Sequence, residues 1–191
     1  MQDLARLVAL LRGGGVIACP TETLVGLLAD ARSEAAVAEV CRLKGRAPEQ
    51  PIGVLIPDLA ALDSLVLEVP ERARELASRH WPGPLTVVLR ARPGLPAALL
   101  RDGKLAVRVP GPSPALDLVR AFAGPLTATS ANRTGEPAAC DDQQARAIFG
   151  DELAAIVAGA APGGDASTIV DASGPELRVL RQGPIMLTDR S

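Results

Sequence analysis

The chain has 191 residues, 48% of them hydrophobic, and a formal net charge of −2, which fits one domain over 1–191 with a full core. Aromatic residues make up 2%, with no Tyr, so the stacking surfaces of single-stranded nucleic-acid binders are nearly absent. The charge gives no general attraction to nucleic acid or to an anionic membrane, so any anion binding has to come from a local basic cluster.

Cys19, Cys41 and Cys140 are far apart, odd in number and without a C-x-x-C pair, as expected of reduced thiols. His80 is the sole histidine, which argues against a protein-held zinc and a histidine-based triad. The N-terminal stretch lacks the order of a signal peptide, and no apolar run reaches the roughly 18 residues needed to span a bilayer. A soluble, cytoplasmic protein with no membrane partner is expected.

Leu4, Leu7, Val8 and Leu11 fall at helical spacing, with Asp3 as cap and Gly13 to Gly15 as the stop. Neither G-x-x-x-x-G-K-[ST] nor G-x-G-x-x-G occurs, so the triple glycine reads as a helix end rather than a phosphate loop. Val16–Cys19 is a short strand running into P-T-E-T-L-V-G-L, where two threonines and a carboxylate fit a capping turn and a site equally well. A helix from Ser33 ends in Arg42, Lys44 and Arg46. Basic residues in a last turn complement the helix dipole, but K-G-R continues into a loop, where Lys as a point charge and Arg as a fork suit a polyphosphate.

Strands are expected over Pro51–Ile56 and Leu85–Leu89, helices over Asp58–Leu67 and Pro70–Arg79, and one helical turn over Pro96–Leu100. His80 beside Trp81 reads as packed rather than catalytic. Lys104–Pro110 alternates, placing Lys104, Ala106 and Arg108 on one face and Leu105, Val107 and Val109 on the other. Arg108 is then one polar group on a core strand, either a salt-bridged surface arginine or part of a site. Pro114–Phe122 is an amphipathic helix.

Leu126–Pro137 reads L-T-A-T-S-A-N-R-T-G-E-P, a strand opening into a polar loop. Thr127, Thr129, Ser130, Asn132 and Thr134 supply hydrogen-bonding groups that serve a turn or hold a ligand at the sheet edge. Beyond it come a helix from Asp141 or Asp142 through Phe149, a strand over Ala155–Val157, a flexible loop into Ser167–Asp171, and a last strand over Leu177–Leu180. Interleaved strands and helices argue for an α/β or mixed α+β fold in one unit. The polar clusters Thr21/Thr23, Lys44/Arg46, Arg108, Ser130/Asn132, Ser167/Thr168 and Arg181 recur at strand ends. They describe a crevice for a phosphate-bearing ligand, with chemistry done by positioning.

P-T-E-T-L-V-G-L, K-G-R-A-P-E-Q-P-I, W-P-G-P-L-T-V-V-L, A-V-R-V-P, T-S-A-N-R-T-G-E-P, S-T-I-V-D and L-R-Q-G-P-I together resemble, in order, the motifs of the YrdC-like (TsaC) threonylcarbamoyl-AMP synthases, from about Val16 to Ile185. The resemblance implies the YrdC-like fold, a twisted mixed sheet with surrounding helices and a concave ligand-binding face. It implies a nucleotidyltransferase that joins L-threonine, bicarbonate and ATP into threonylcarbamoyl-AMP and pyrophosphate. Downstream tRNA threonylcarbamoyltransferase proteins would then modify the adenosine beside the anticodon. Carried over residue by residue, Lys44, Arg46, Gln50, Ser130, Asn132 and Arg181 would face ATP, with Lys44 and Arg46 catalytic. Thr23, Arg108 and Ser167 would hold threonine, and the Ala128 backbone would line its pocket. Mg²⁺ would be held mainly by the ATP phosphates, with no dedicated protein ligands. Val25 stands where the family usually has an aromatic, Ala47 where proline is common, and Gln50 where lysine is frequent.

Two other readings compete. One is an RNA-binding module whose concave face accepts tRNA, which low charge and scarce aromatics restrict to weak tRNA binding. The other is a paralogue forming a carbamoyl adenylate with a different substrate.

Overall fold

A computed structural model describes residues 3–45 and 50–187. Helix α1 spans Leu4–Arg12, and the Asp3 carboxylate accepts from the amides of Ala5 and Arg6, as the capping rule anticipates. Strands β1 (Ile17–Pro20) and β2 (Val25–Leu28) form an antiparallel pair around the Thr21–Leu24 turn. Local sequence gives Val25–Leu28 no strand signal. It is a strand because β1 and β7 (Leu126–Ser130) pair with it from both sides, overriding the weak strand preference of Gly26.

Helix α2 (Glu34–Lys44) starts at Ser33, whose hydroxyl accepts from the Ala36 amide, and ends on Gly45 at φ 57°, a left-handed position suited to glycine. After β3 (Gly53–Leu55) the helical span expected over Asp58–Leu67 is a 3₁₀ helix, Leu59–Ser64. Asp58 opens it, and the Val66–Ala91 bridge pulls the chain into the sheet edge before a full α-helix has room. Then follow α3 (Glu71–His80), β4 (Leu85–Arg90), a short 3₁₀ turn, β5 (Leu100–Arg101), β6 (Lys104–Arg108), α4 (Pro114–Phe122) and β7. The chain continues through α5 (Asp142–Phe149), β8 (Ala155–Ile156), β9 (Thr168–Asp171) and β10 (Arg178–Arg181).

Among the described residues the ten strands make one mixed sheet in the order β10-β9-β4-β6-β3-β7-β2-β1-β8, with β5 paired to β6. Pairs β3–β6, β4–β9 and β1–β8 are parallel, and the others are antiparallel. No helix among the described residues is long and apolar enough to cross a membrane.

Alternation gives the sheet two unlike faces. Leu85, Val87 and Leu89 of β4, Leu105 and Val107 of β6, and Val170 of β9 are buried in the core. Their neighbours Thr86, Val88, Ala106, Ile169 and Asp171 are only partly covered. Across the middle of that open face the side chains are small. Ala128 lies opposite Gly53, Ser130 opposite Gly26, and Ala106 opposite Val88. Side-chain volume is therefore low along Gly26, Gly53, Ala106 and Ala128 on that face.

Candidate active site

Two clusters border the open face. The first is built on the end of β7 and the last turn of α2. Lys44 is 4% exposed, and its ammonium donates to the Ser130 carbonyl at 2.6 Å and to the carbonyl and Oδ1 of Asn132, both at 2.9 Å. Ser130 Oγ donates to Asn132 Oδ1 at 2.5 Å, and Asn132 Nδ2 donates to the carbonyls of Arg133 and Glu136. The loop also caps the helix. Thr134 N donates to the Lys44 carbonyl at 2.7 Å, and Arg133 Nη1 to the Leu43 carbonyl at 3.1 Å. Arg133 Nη2 meets Glu152 at 2.8 Å, and its guanidinium lies over the Phe149 ring. Glu152 also pairs with Arg42, which forks onto Glu39.

Of the five polar residues that the sequence offers in this stretch, Thr127 belongs to the fold. Fully buried, its hydroxyl accepts from Ala29 N and donates to the Leu27 carbonyl, both at 2.9 Å. Ser130 and Asn132 turn to the open side with Lys44. Gln50 is exposed. Arg46 lies outside the described residues.

The second cluster is built from the β1–β2 turn, the end of β6 and the entry to β9. The Thr21 hydroxyl donates to the Leu24 carbonyl at 2.7 Å, so in the 3.0 Å contact between Thr21 and Thr23 the proton comes from Thr23. Thr23 is left with lone pairs to offer. Arg108 is 8% exposed, and its Nη1 lies 3.2 Å from Glu22 Oε1. It is thus a buried, paired arginine rather than a surface one. Neither oxygen of Glu22 makes a hydrogen bond among the described residues. Gly111 packs against this carboxylate, and a Cβ there would meet Glu22 Cγ at 2.8 Å. Burial lowers the pKa of Arg108 and the nearby charge of Arg181 lowers it further, while Glu22 opposes both.

Arg181 donates from Nε and Nη2 to the Ser167 carbonyl at 3.0 and 2.9 Å and from Nη2 to Ser167 Oγ at 3.3 Å. Partial burial of its guanidinium lowers its pKa as well, although the residue as a whole is exposed. Ser167 Oγ is 2.8 Å from Thr86 Oγ1. Gly183 makes room for this join, since a Cβ there would strike the backbone of Ala166, Ser167 and Thr168.

Glu22 ties Arg108 to the turn that carries Thr23, and Thr86 contacts the Ser167 hydroxyl that Arg181 also reaches; the motifs alone single out neither Glu22 nor Thr86. Glu22 is visible in the sequence as the acid of P-T-E-T, and Thr86 as the polar residue in L-T-V-V-L. Ala128 lies on the open face between the two clusters. One surface cavity, of about 400 Å³, lies by Arg72, Arg90 and Gly174, and another, of about 780 Å³, lies along α1; neither is lined by these residues. Cations and neutral donors dominate both clusters, and no group of three or more His, Cys, Asp or Glu positioned for a metal occurs among the described residues. Such a donor set fits a divalent ion that arrives already coordinated by phosphates.

The family described as "Telomere recombination", Sua5/YciO/YrdC, matches residues 9–183. A protein of Mycobacterium leprae (strain TN) is 40% identical over 187 residues, 96% of this chain and 84% of its own length. The threonylcarbamoyl-AMP synthase of Bacillus subtilis (strain 168) is 35% identical over 186 residues, and the chain spans 54% of that protein. Among solved structures, P. abyssi Sua5 complexed with L-threonine superposes with a TM-score of 0.89 at 34% identity, covering 94% of this chain and 54% of that one. The chain thus spans about half the length of the last two. It belongs to the Sua5/YciO/YrdC family.

Proposed function

We propose that the protein is an L-threonylcarbamoyladenylate synthase, a nucleotidyltransferase joining L-threonine, bicarbonate and ATP with release of pyrophosphate. The observation that carries this reading is that the Lys44/Ser130/Asn132 cluster and the Thr23/Arg108/Ser167/Arg181 cluster border one partly covered face of the sheet, with the small residues Gly53, Ala106 and Ala128 between them. The name of the B. subtilis relative and the threonine in the P. abyssi structure support it.

In this reading Arg108 forks onto the threonine carboxylate, Thr23 accepts from its ammonium, and Ser167 and the Ala128 backbone border it. Ser130, Asn132, Gln50 and Arg181 orient the nucleotide. Lys44 and Arg46 offset charge as pyrophosphate leaves. Mg²⁺ bound by the triphosphate supplies Lewis-acid polarisation of the α-phosphate when present. The product would pass, in the cytoplasm, to proteins that transfer threonylcarbamoyl to tRNA, with at most weak tRNA contact by this chain.

The test is pyrophosphate release by the purified protein with ATP and Mg²⁺, with and without bicarbonate, and with threonine, serine or no amino acid. Release that requires both threonine and bicarbonate is expected. Release indifferent to either substrate would overturn the reading.

A further inference from the structure

In the proposed synthase, threonine and ATP have their contacts but bicarbonate has no seat, and a seat for it presupposes that activity. Thr86 and Arg108 lie just past the Val87–Val107 pair, where the β4–β6 ladder ends, and by alternation they share the face of Val88 and Ala106. From Thr86 the path runs through the Ser167 hydroxyl at 2.8 Å to Arg181 Nη2 at 3.3 Å. Two hydroxyls therefore line up beside the Arg181 guanidinium, on the face that also carries Arg108. The contact between the hydroxyls uses only one of their two protons, and neither hydroxyl donates elsewhere among the described residues, so one O–H remains for a ligand.

The two arginines differ in charge balance. Arg108 has Glu22 at 3.2 Å. No acidic side chain pairs with Arg181 among the described residues, its Nη1 makes no hydrogen bond there, and the residue is exposed. The uncompensated positive charge thus sits on the Arg181 side, beside the spare hydroxyl. A small trigonal oxyanion that arrives beside a carboxylate already on Arg108 is drawn to that side, where no acidic side chain offsets the charge among the described residues. An amino acid held by its carboxylate on Arg108 carries its nitrogen one carbon away, within reach of the same place.

We infer that Arg181 and the Ser167–Thr86 hydroxyl pair form the bicarbonate seat, with Thr86 a further residue of the site. The threonine ammonium and bicarbonate combine there. An N–C bond forms, one C–O bond of bicarbonate breaks, its oxygen leaves as water, and one proton goes to solvent. The carbamate oxyanion inherits the seat. Its oxygen then attacks the α-phosphorus, and the bond to the bridging oxygen breaks as pyrophosphate leaves. Arg181 thereby acts on the carbon-bearing anion rather than on the nucleotide alone.

The experiment measures the bicarbonate KM of Arg181→Ala, Thr86→Val and Thr86→Ser at saturating threonine and ATP. Threonine Kd is measured separately by calorimetry in bicarbonate-free buffer. Arg181→Ala is expected to raise the bicarbonate KM about tenfold or more, corresponding to a loss of about 1.4 kcal/mol. Thr86→Val should raise it severalfold, Thr86→Ser should stay near wild type, and threonine Kd should stay within about twofold throughout. An unchanged bicarbonate KM in Thr86→Val and Arg181→Ala, or a threonine Kd that rises in parallel, overturns the assignment while leaving the proposed function standing. If Arg181→Ala does not fold, the near-isosteric Thr86→Val decides alone. A wild-type protein that releases no pyrophosphate with threonine and bicarbonate removes the function and the seat together.

Discussion

The ammonium of Lys44 lies 2.9 Å from both the carbonyl and the side-chain oxygen of Asn132. With the Ser130 carbonyl at 2.6 Å, three acceptors of the chain itself surround an ammonium that has three donors. Lys44 therefore holds the loop that carries Ser130 and Asn132, and in the proposed synthase its contribution to a triphosphate would be its field and the order it imposes. Lys44→Met is expected to cut pyrophosphate release about 100-fold and to lower stability by about 1–2 kcal/mol, since three partly covered acceptors each lose a charged donor. Turnover and denaturant midpoints check this together. Full stability with lost turnover would make Lys44 a phosphate contact only.

Arg133 joins the same loop to the α2 carbonyl end and to Glu152. Its two nitrogens point to different acceptors, which a lysine cannot serve at once. Arg133→Ala and Arg133→Lys are both expected to raise the ATP KM several-fold while leaving threonine Kd unchanged. The ion pair is exposed, so stability should fall by no more than about 1 kcal/mol. Equal effects on both substrates would show a general loosening instead.

Gly111 is the room in which Glu22 sits behind Arg108. Gly111→Ala places a methyl group 2.8 Å from Glu22 Cγ and pushes the carboxylate against the guanidinium. Weakened threonine binding with unchanged ATP binding is expected, at about 1–3 kcal/mol of stability. Calorimetry with each ligand separates the two effects.

Asp171 supplies a pH dependence. Burial pushes its carboxyl up, but the hydrogen bond from Lys104, those from the Ser173 hydroxyl and amide, and the Lys104 charge together hold it below the ordinary value of 3.8. A depressed carboxyl stabilises the fold above its unfolded pKa, and that stability is lost as pH falls through the folded value. Denaturant titrations should therefore show a stability decline below about pH 4 that is smaller in Lys104→Met. An unchanged slope in that variant would remove the pair from the account.

Much of the fold is legible locally. Asp3 and Ser33 mark helix starts, Gly45 a helix stop, and the alternation along Lys104–Arg108 separates a core face from an open one. Val25–Leu28 is not legible, because its strand state comes from partners distant in sequence. The same limit applies to the site. The ordered motifs name Arg108, Ser130, Asn132 and Ser167. They give no sign that Glu22 backs Arg108 or that Thr86 meets Ser167, since those relationships exist only after the strands align. Thr127 shows the converse, a hydroxyl that looks available in the sequence and is spent on the backbone of β2 and its flank.

Gly53, Ala106 and Ala128 leave one face of the central strands partly covered, while the other face is buried in the core. In the proposed function a threonine seated there would supply the missing half of a sandwich, its methyl and methine groups completing a layer that the chain itself leaves unfilled. Occupancy and cohesion are then coupled quantities, and the melting temperature becomes a gauge of which small molecules fit. A chain bulky at these positions would be sturdier when empty and would have nothing to hold.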